Sequence, residues 1–386
     1  MTVSGATVET LIIGGGPAGS MAAMRLAASG REVMLLEKER GAHHKVCGEF
    51  LSREAVAYLR EAGVDPVQLG AAHLTRVRVS SGAEEVDAEL PFRALSLSRY
   101  MLDEVMLARA EEEGCLVRRG VSAERLEACD GGWRVETRCG GQIRAHAVLL
   151  ANGKHDLHGW KRERGRQPDL VGFKLHWRLT AEATRALRDV MELFLFRGGY
   201  GGLSLVERDV ANLCLVVRHA RLRMLGGWTE LLSAIRKDNS RLDQLLRNAS
   251  PMWERPLAIS PIPYGYLVVG REGPWTLGDQ AAVIPSFTGD GMSIALHSGA
   301  MAAEMLLDGK NGQEFKRRLR GQFRVGMSVA TLLSRVMVTD TGRKAALPAL
   351  HAIPGAIRRI VLSTRIPERA LEGSIGHRAE RTLGTT

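Results

Sequence analysis

The residues best placed to do chemistry are three glycines and one carboxylate: Gly14, Gly16 and Gly19, with Glu37 about 20 residues further on. Val8, Leu11, Ile12 and Ile13 read as a buried parallel strand. Gly14-Gly15-Gly16-Pro17-Ala18-Gly19 then opens an apolar helix running to about Ser29. Gly14 permits a tight turn, Gly16 lets the backbone approach a pyrophosphate, and Gly19 lets the helix pack closely on the strand. Pro17 and Ala18 begin the helix, whose positive end meets the phosphates. A second buried strand, Glu32 to Leu36, ends at Glu37, where a carboxylate can accept both hydroxyls of a ribose, with Lys38 beside it. The pattern predicts a dinucleotide site of the adenosine type.

Two further constellations stand away from this turn. Gly278-Asp279 follows a short apolar strand, Trp275 to Leu277, and Thr288-Gly289-Asp290-Gly291-Met292 then opens a helix through Ala295, Leu296, Ala300, Met301 and Met305. An aspartate at a strand end can bind a polyhydroxyl chain, and the free N–H groups of a glycine-rich helix start can stabilise negative charge on a heterocycle. A flavin offers both features. The third is Lys45-Val46-Cys47-Gly48-Glu49-Phe50-Leu51-Ser52, which leaves the dinucleotide fold at the carboxyl end of its sheet, where ligands sit. Cys47 there is either a group near the ligand or a small buried hydrophobe.

The elements that must position these groups follow from periodicity. A helix is expected over about Arg53 to Ala62, a hairpin over Leu74 to Ser80 and Glu85 to Leu90, and an amphipathic helix from Ser98 to Glu113. Cys115 to Val117, Val121 to Ala128, Trp133 to Thr137 and Ile143 to Leu150 read as strands, the last ending in a close backbone approach at Ala151-Asn152-Gly153. Beyond a basic connection, Phe173 to Leu179, Val190 to Phe196, Leu203 to Val206 and Val210 to Val217 suggest an antiparallel sheet, with short helices around Trp228 to Lys237 and Ser240 to Arg247 covering one face. Gly198 to Gly202 is read as a tight bend beside a ligand. The expected fold class is α/β, α+β overall. A Rossmann-type domain from residues 1–75, 98–165 and 265–325 carries an inserted antiparallel-sheet substrate domain, residues 76–97 and 168–262, and a basic helical segment follows over 326–386.

Composition bounds the function. With 386 residues, 45% hydrophobic and 25% charged, the chain can build two cores. No apolar run reaches a membrane span of about 18 residues, and no basic region precedes the first strand, so a cytoplasmic protein, or one peripheral at a membrane, is expected. The five cysteines show no C-x-x-C and no histidine cluster at zinc spacing, so no metal is expected. The net charge of +10 is local: from Lys310 to Arg381 there are 15 Lys and Arg against 5 Asp and Glu. With no zinc finger, helix-turn-helix or RNP sequence, no nucleic-acid partner is expected. Leu347, Leu350, Ile353, Ile357, Ile360 and Val361, with Arg358 and Arg359, instead form an amphipathic stretch on which a membrane surface or an acidic carrier protein could dock.

Through Gly14 to Gly19 with Glu37, Lys45 to Glu49, and Gly278-Asp279-Gln280-Ala281-Ala282 with Thr288 to Met292, the chain resembles FAD-dependent oxidoreductases of the geranylgeranyl reductase family, relatives of the para-hydroxybenzoate hydroxylase fold. The resemblance implies FAD as cofactor. It implies that Asp279 holds the ribityl chain, Gly289, Gly291 and Met292 face the isoalloxazine ring, Arg99 contacts FAD, Val121 meets the adenine, and Cys47 and Gly48 lie by flavin and substrate. Asn152-Gly153-Lys154 stands where aromatic hydroxylases usually carry Asp-Gly, and Val283 replaces a histidine, so the chain looks closer to the reductases. The six tryptophans contain no W-x-W, the halogenase signature, so halogenation is not expected. The expected reaction passes a hydride from reduced flavin to a carbon-carbon double bond of a small apolar substrate (prenyl, lipid or polyketide-like), with NAD(P)H as transient donor and Cys47 or Tyr200 as proton source. The alternative is a monooxygenase that hydroxylates or epoxidises through a flavin hydroperoxide.

Overall fold

The computed structural model describes residues 5–367 and 370–371. Its first sheet is built on Ala6–Ile13, whose apolar second half is buried on both faces and so demands cover on each side. Val33–Glu37 and Gln142–Leu150 flank this strand in parallel, pairing Ile13 with both Leu36 and Leu150. Leu116–Arg119 extends the sheet beyond Val33–Glu37, the hairpin of Ala123–Cys129 and Gly132–Thr137 joins Gln142–Leu150 antiparallel, and Trp275–Thr276 pairs in parallel with the far end of that same strand. Three carboxyl strand ends therefore meet at Gly14, Glu37 and Ala151. Pro17–Ala28 packs against both Arg99–Glu112 and Gly291–Leu307. Its approach to the latter is close enough that a Cβ on Gly299 would lie 2.2 Å from the carbonyl oxygen of Ala18, so small residues on both helices are a packing requirement.

The second sheet runs Ser250–Pro251, Gln167–Arg178, Ala211–Arg218, Gly199–Leu205, Asp189–Phe196, Ala72–Ser81, Glu84–Ser96 and Phe50–Leu51, with Leu257–Tyr264 also paired to Gln167–Arg178. It is antiparallel except where Ala72–Ser81 runs parallel to Asp189–Phe196. The predicted hairpin is thus longer than expected and belongs to this sheet. One face is covered by Ala181–Leu187, Trp228–Asp238 and Ser240–Leu246, around Phe173, Leu175, Phe194 and Leu213. The other face is covered by the C-terminal helices: Leu347, Leu350 and Ile357 pack with Val77, Val79, Leu170 and Ile262. Gly312–Met337 is a single helix opened by an Asn311–Glu314 capping box. It crosses the boundary expected at residue 326.

The glycine run is a correction. Gly199–Leu205 is a strand, paired on both sides, and only Gly198, at φ 81°, is in the turn. The rings of Phe196 and Phe194 lie over Gly199 and Gly201, where a Cβ would sit 2.5 Å and 2.4 Å from them. These glycines make room for aromatic packing and form no ligand bend.

Candidate active site

At the meeting of the strand ends lies a cavity of about 760 Å³, lined from both sheets. Its polar end is the first glycine turn. Gly14, at φ 110°, holds a conformation open to glycine, and a Cβ there would lie 2.5 Å from the carbonyl oxygen of Ala151. Gly16 precedes Pro17 at the helix start without a side-chain cap, so the first-turn amides are free to meet an anion. Glu37 is buried, and its carboxylate accepts from the backbone N–H of Gly15 at 2.8 Å and of Glu39 at 3.0 Å. Those bonds fix the carboxylate at the end of the second strand, facing the cavity beside Lys38 and Val121.

Along the floor, Arg99 pairs with Asp103 at 2.6 Å, and Lys45 joins the same carboxylate at 2.9 Å. Burial opposes the charge on Arg99, but Asp103 outweighs it and holds the guanidinium protonated. Lys154 donates to Asp279 at 2.8 Å and is likewise kept charged against burial by that carboxylate. The cavity therefore presents three fixed cations beside a free helix start, a charge pattern that suits a pyrophosphate.

At the second glycine-rich turn, Gly289 has φ 71°, Gly291 has open space where a Cβ would project, and Gly291–Leu307 begins without a side-chain cap. Asp290, just before this helix, is buried, and burial pushes its carboxyl up to about 7 although Arg365 stands 2.9 Å away. A dinucleotide extended from Glu37 past Gly16 to Asp279 and Gly291 meets, in order, a carboxylate, free amides, cations, a carboxylate and free amides. The residues fit FAD.

Between the polar end and the far end runs the loop carrying Cys47 and Gly48, both on the cavity wall. It is tied down by Glu49, wholly buried at φ 60°. The Glu49 carboxylate accepts from the backbone N–H of Arg99 at 2.8 Å, from His176 Nε2 at 2.9 Å and from Lys174 Nζ. Burial would raise its pKa, but Lys174 and His176 prevail and lower it. His44 stacks near Tyr100, His176 and Trp253, and burial with the nearby Lys174 lowers its pKa to about 4. His44, Glu49 and His176 place their ligand atoms within 4.8 Å of one another, but the Lys174 ammonium already supplies the positive charge at Glu49.

The far end is apolar, walled by Leu215, Val216, Leu257, Ile259, Ile262 and Ile284, with Cys214, Tyr264 and Ser286 as its polar groups. The structure brings Gly14, Gly16, Pro17, Ala18, Glu37, Lys38, Cys47, Gly48, Arg99, Val121, Asp279, Gly289, Gly291 and Met292 to one cavity. Gly19 stands behind the wall, where a Cβ would lie 2.0 Å from the carbonyl oxygen of Gly14. Tyr200 is not on the wall. It is buried, bonded to Ser334 at 3.1 Å, and burial pushes its hydroxyl up to about 12. Tyr264 and Ser286 take the cavity position instead. Sequence reasoning also passed over Lys154, His44, Lys174 and His176; Lys154 alone gave a signal, as the residue after Asn152-Gly153.

Residues 7–153 match the model of an FAD binding domain. The chain is similar to a menaquinone reductase of Mycobacterium tuberculosis, 26% identical over 355 residues that make up 86% of this chain and 84% of the relative. It is also similar to a digeranylgeranylglycerophospholipid reductase of Methanopyrus kandleri, 26% identical and covering 77% of this chain and 76% of the relative. Among solved structures, the myxobacterial chondrochloren halogenase CndH superposes with a TM-score of 0.73 at 17% identity over 96% of both chains, a likeness of fold. With its glycine turn, its Glu37 and its second glycine-rich helix start on one cavity, the chain carries an FAD binding domain within a fold that it shares with the FAD-dependent chondrochloren halogenase.

Proposed function

We propose that the protein is an FAD-dependent reductase that saturates a carbon-carbon double bond in an apolar, prenyl-type substrate, with NAD(P)H as electron donor. The observation that carries this reading is the apolar far end of the cavity, where Leu215, Val216, Leu257, Ile259 and Ile262 offer van der Waals contact and few hydrogen bonds. The relatives named for reduction of menaquinone and of a digeranylgeranyl phospholipid support the same substrate class. FAD held along the glycine turns would supply the hydride.

This chain's residues do the rest. The apolar wall orients the substrate and excludes water. Addition of a hydride to one carbon requires a proton at the other, and Cys47 is the group on the wall between cofactor and substrate ends whose Sγ can hold one. Its thiol accepts from the backbone N–H of Glu49 at 3.3 Å, so its direction is set by the loop. Tyr264, at the end of a second-sheet strand, and Ser286, in the turn before the second glycine-rich helix start, line the same cavity.

The test is anaerobic turnover. Purified FAD-loaded protein given NADPH and a prenylated quinone or a geranylgeranyl lipid is expected to yield product two hydrogens heavier without oxygen. Product that appears in air and stops under nitrogen identifies a monooxygenase instead. In the reductase, Cys47→Ala is expected to lower kcat by about a hundredfold, with NADPH-dependent flavin bleaching retained.

A further inference from the structure

The C-terminal helices bury one side against the second sheet and leave the other uncovered. On Gly312–Met337, Val325, Leu332 and Val336 are 66%, 64% and 45% exposed, and half-buried Val329 completes an i, i+4, i+7, i+11 line along a single face. Arg318, exposed and seven residues before Val325, continues that line, while Arg317, Arg324 and Arg335 border it. None of these four arginines has an ion-pair partner among the described residues. The next elements add to the face. A Cβ on Gly326 would lie 3.2 Å from the carbonyl oxygen of Ser363, which brings the end of Ala356–Ser363 against the middle of the long helix. That short helix carries exposed Arg358, Arg359 and Leu362, and Ile353 is exposed just before it. Half of the ten large hydrophobics exposed among the described residues thus fall between 325 and 362.

Charge decides the occupant. Residues 310–365 hold 12 Lys and Arg against 2 Asp and Glu, which is the whole net charge of the chain. A second copy of a face so basic would be repelled. A protein partner would be expected to find a shaped pocket, whereas this is a stripe of exposed aliphatic side chains edged by long guanidinium side chains. An amphipathic helix of this kind lies in an anionic lipid interface, its aliphatic groups among the acyl chains and its cations at the headgroups. No single helix among the described residues is long and apolar enough to cross a membrane, and the bent pair Asp340–Ala352 and Ala356–Ser363, which together reaches that length, packs Leu347, Leu350 and Ile357 on the second sheet, so the contact is at the surface.

We infer that the face formed by Val325, Val329, Leu332, Val336 and Leu362, edged by Arg318, Arg324, Arg335, Arg358 and Arg359, docks the protein on an anionic membrane surface. The inference stands on these residues alone and holds whatever substrate the cavity takes. Its test is flotation of the FAD-loaded full chain with vesicles of phosphatidylcholine, with and without about 30 mol% phosphatidylglycerol. Binding is expected to the anionic vesicles only and is expected to weaken as salt is raised. Leu332→Asp is expected to reduce partitioning by about tenfold or more, and Arg335→Gln by about fivefold. Both side chains point to solvent, so FAD content and NADPH-driven bleaching should match the parent, which separates a docking failure from a failure of the reductase reading. Absence of binding to anionic vesicles, binding unchanged by Leu332→Asp, or preference for an acidic carrier protein over the vesicles overturns the inference.

Discussion

Glu49 carries a burden unusual for one side chain. It sits in the left-handed region, which costs a non-glycine residue of order 1 kcal/mol, and it is wholly buried, yet three donors converge on its carboxylate. Those donors come from the second sheet and from the start of Arg99–Glu112, so Glu49 fastens the Cys47-Gly48 segment to both halves of the cavity. Removing its charge strands the Lys174 ammonium without a counter-ion. Glu49→Gln is therefore expected to lower unfolding free energy by about 3 to 5 kcal/mol, and Glu49→Gln with Lys174→Met to recover much of that loss. Urea unfolding of the two variants is the measurement; a single variant within about 0.5 kcal/mol of the parent would mean the buried pair contributes nothing. Lys174 and His176 were not legible beforehand because a strand's alternation says which face a side chain takes, not what meets it 125 residues away in sequence. The same blindness chose Tyr200 over Tyr264. A tyrosine in a glycine run looks exposed to ligand until the strands pair and bury it.

At the scale of elements, Gly291–Leu307 carries two titrating groups with opposite linkage. His297, deep in the helix and bonded to Tyr58 at 2.7 Å, has its pKa lowered to about 4 by burial. The unfolded chain therefore takes up that proton first. The stability this neutral histidine contributes is present above pH 6.5 and lost as pH falls towards 4, to a total of about 3 kcal/mol. Asp290 at the helix start runs the other way. Its folded pKa, raised to about 7, means that stability is gained as pH falls from 7 towards 4. The two partly cancel in the parent. With FAD saturating, Asp290→Asn is expected to make the loss on acidification steeper, and His297→Asn to flatten or reverse it, both read from urea midpoints near pH 7 and about pH 5. Matching slopes in parent and variants would show that neither group is perturbed as its burial implies. This helix was legible because its glycine-rich start and apolar run are contiguous. Leu257–Tyr264 was not, since Pro261 and Pro263 argue against a strand; it escapes that rule by lying on an edge, paired only to Gln167–Arg178.

Across the whole molecule, the first glycine turn and the Asp279 and Gly291 turns lie some 260 residues apart in sequence and on one cavity in space. The dinucleotide half was legible because a strand, a turn and a helix sit within 30 residues of each other. The substrate half was not, because its wall comes from three separated segments, around 214–216, 257–264 and 284–286, whose register only folding sets. FAD spanning the cavity touches elements that the chain joins only through the entire second sheet, so the cofactor acts as a cross-link of the native state. At a hundredfold excess over its dissociation constant it is expected to add about 2.7 kcal/mol to unfolding free energy. Gly291→Ala separates this effect from folding itself. Its Cβ would enter open space in the cavity and touch nothing in the protein, and alanine favours a helix by about 1 kcal/mol over glycine in a helix interior, less at this first turn. The FAD-free variant is therefore expected to melt at or slightly above the parent, while the FAD-induced rise in melting temperature shrinks or disappears because the new methyl occupies the place of the ring. Thermal unfolding of parent and variant with and without FAD reads both effects at once. An unchanged FAD-induced rise would place the isoalloxazine away from Gly291 and break the link between the two ends of the chain.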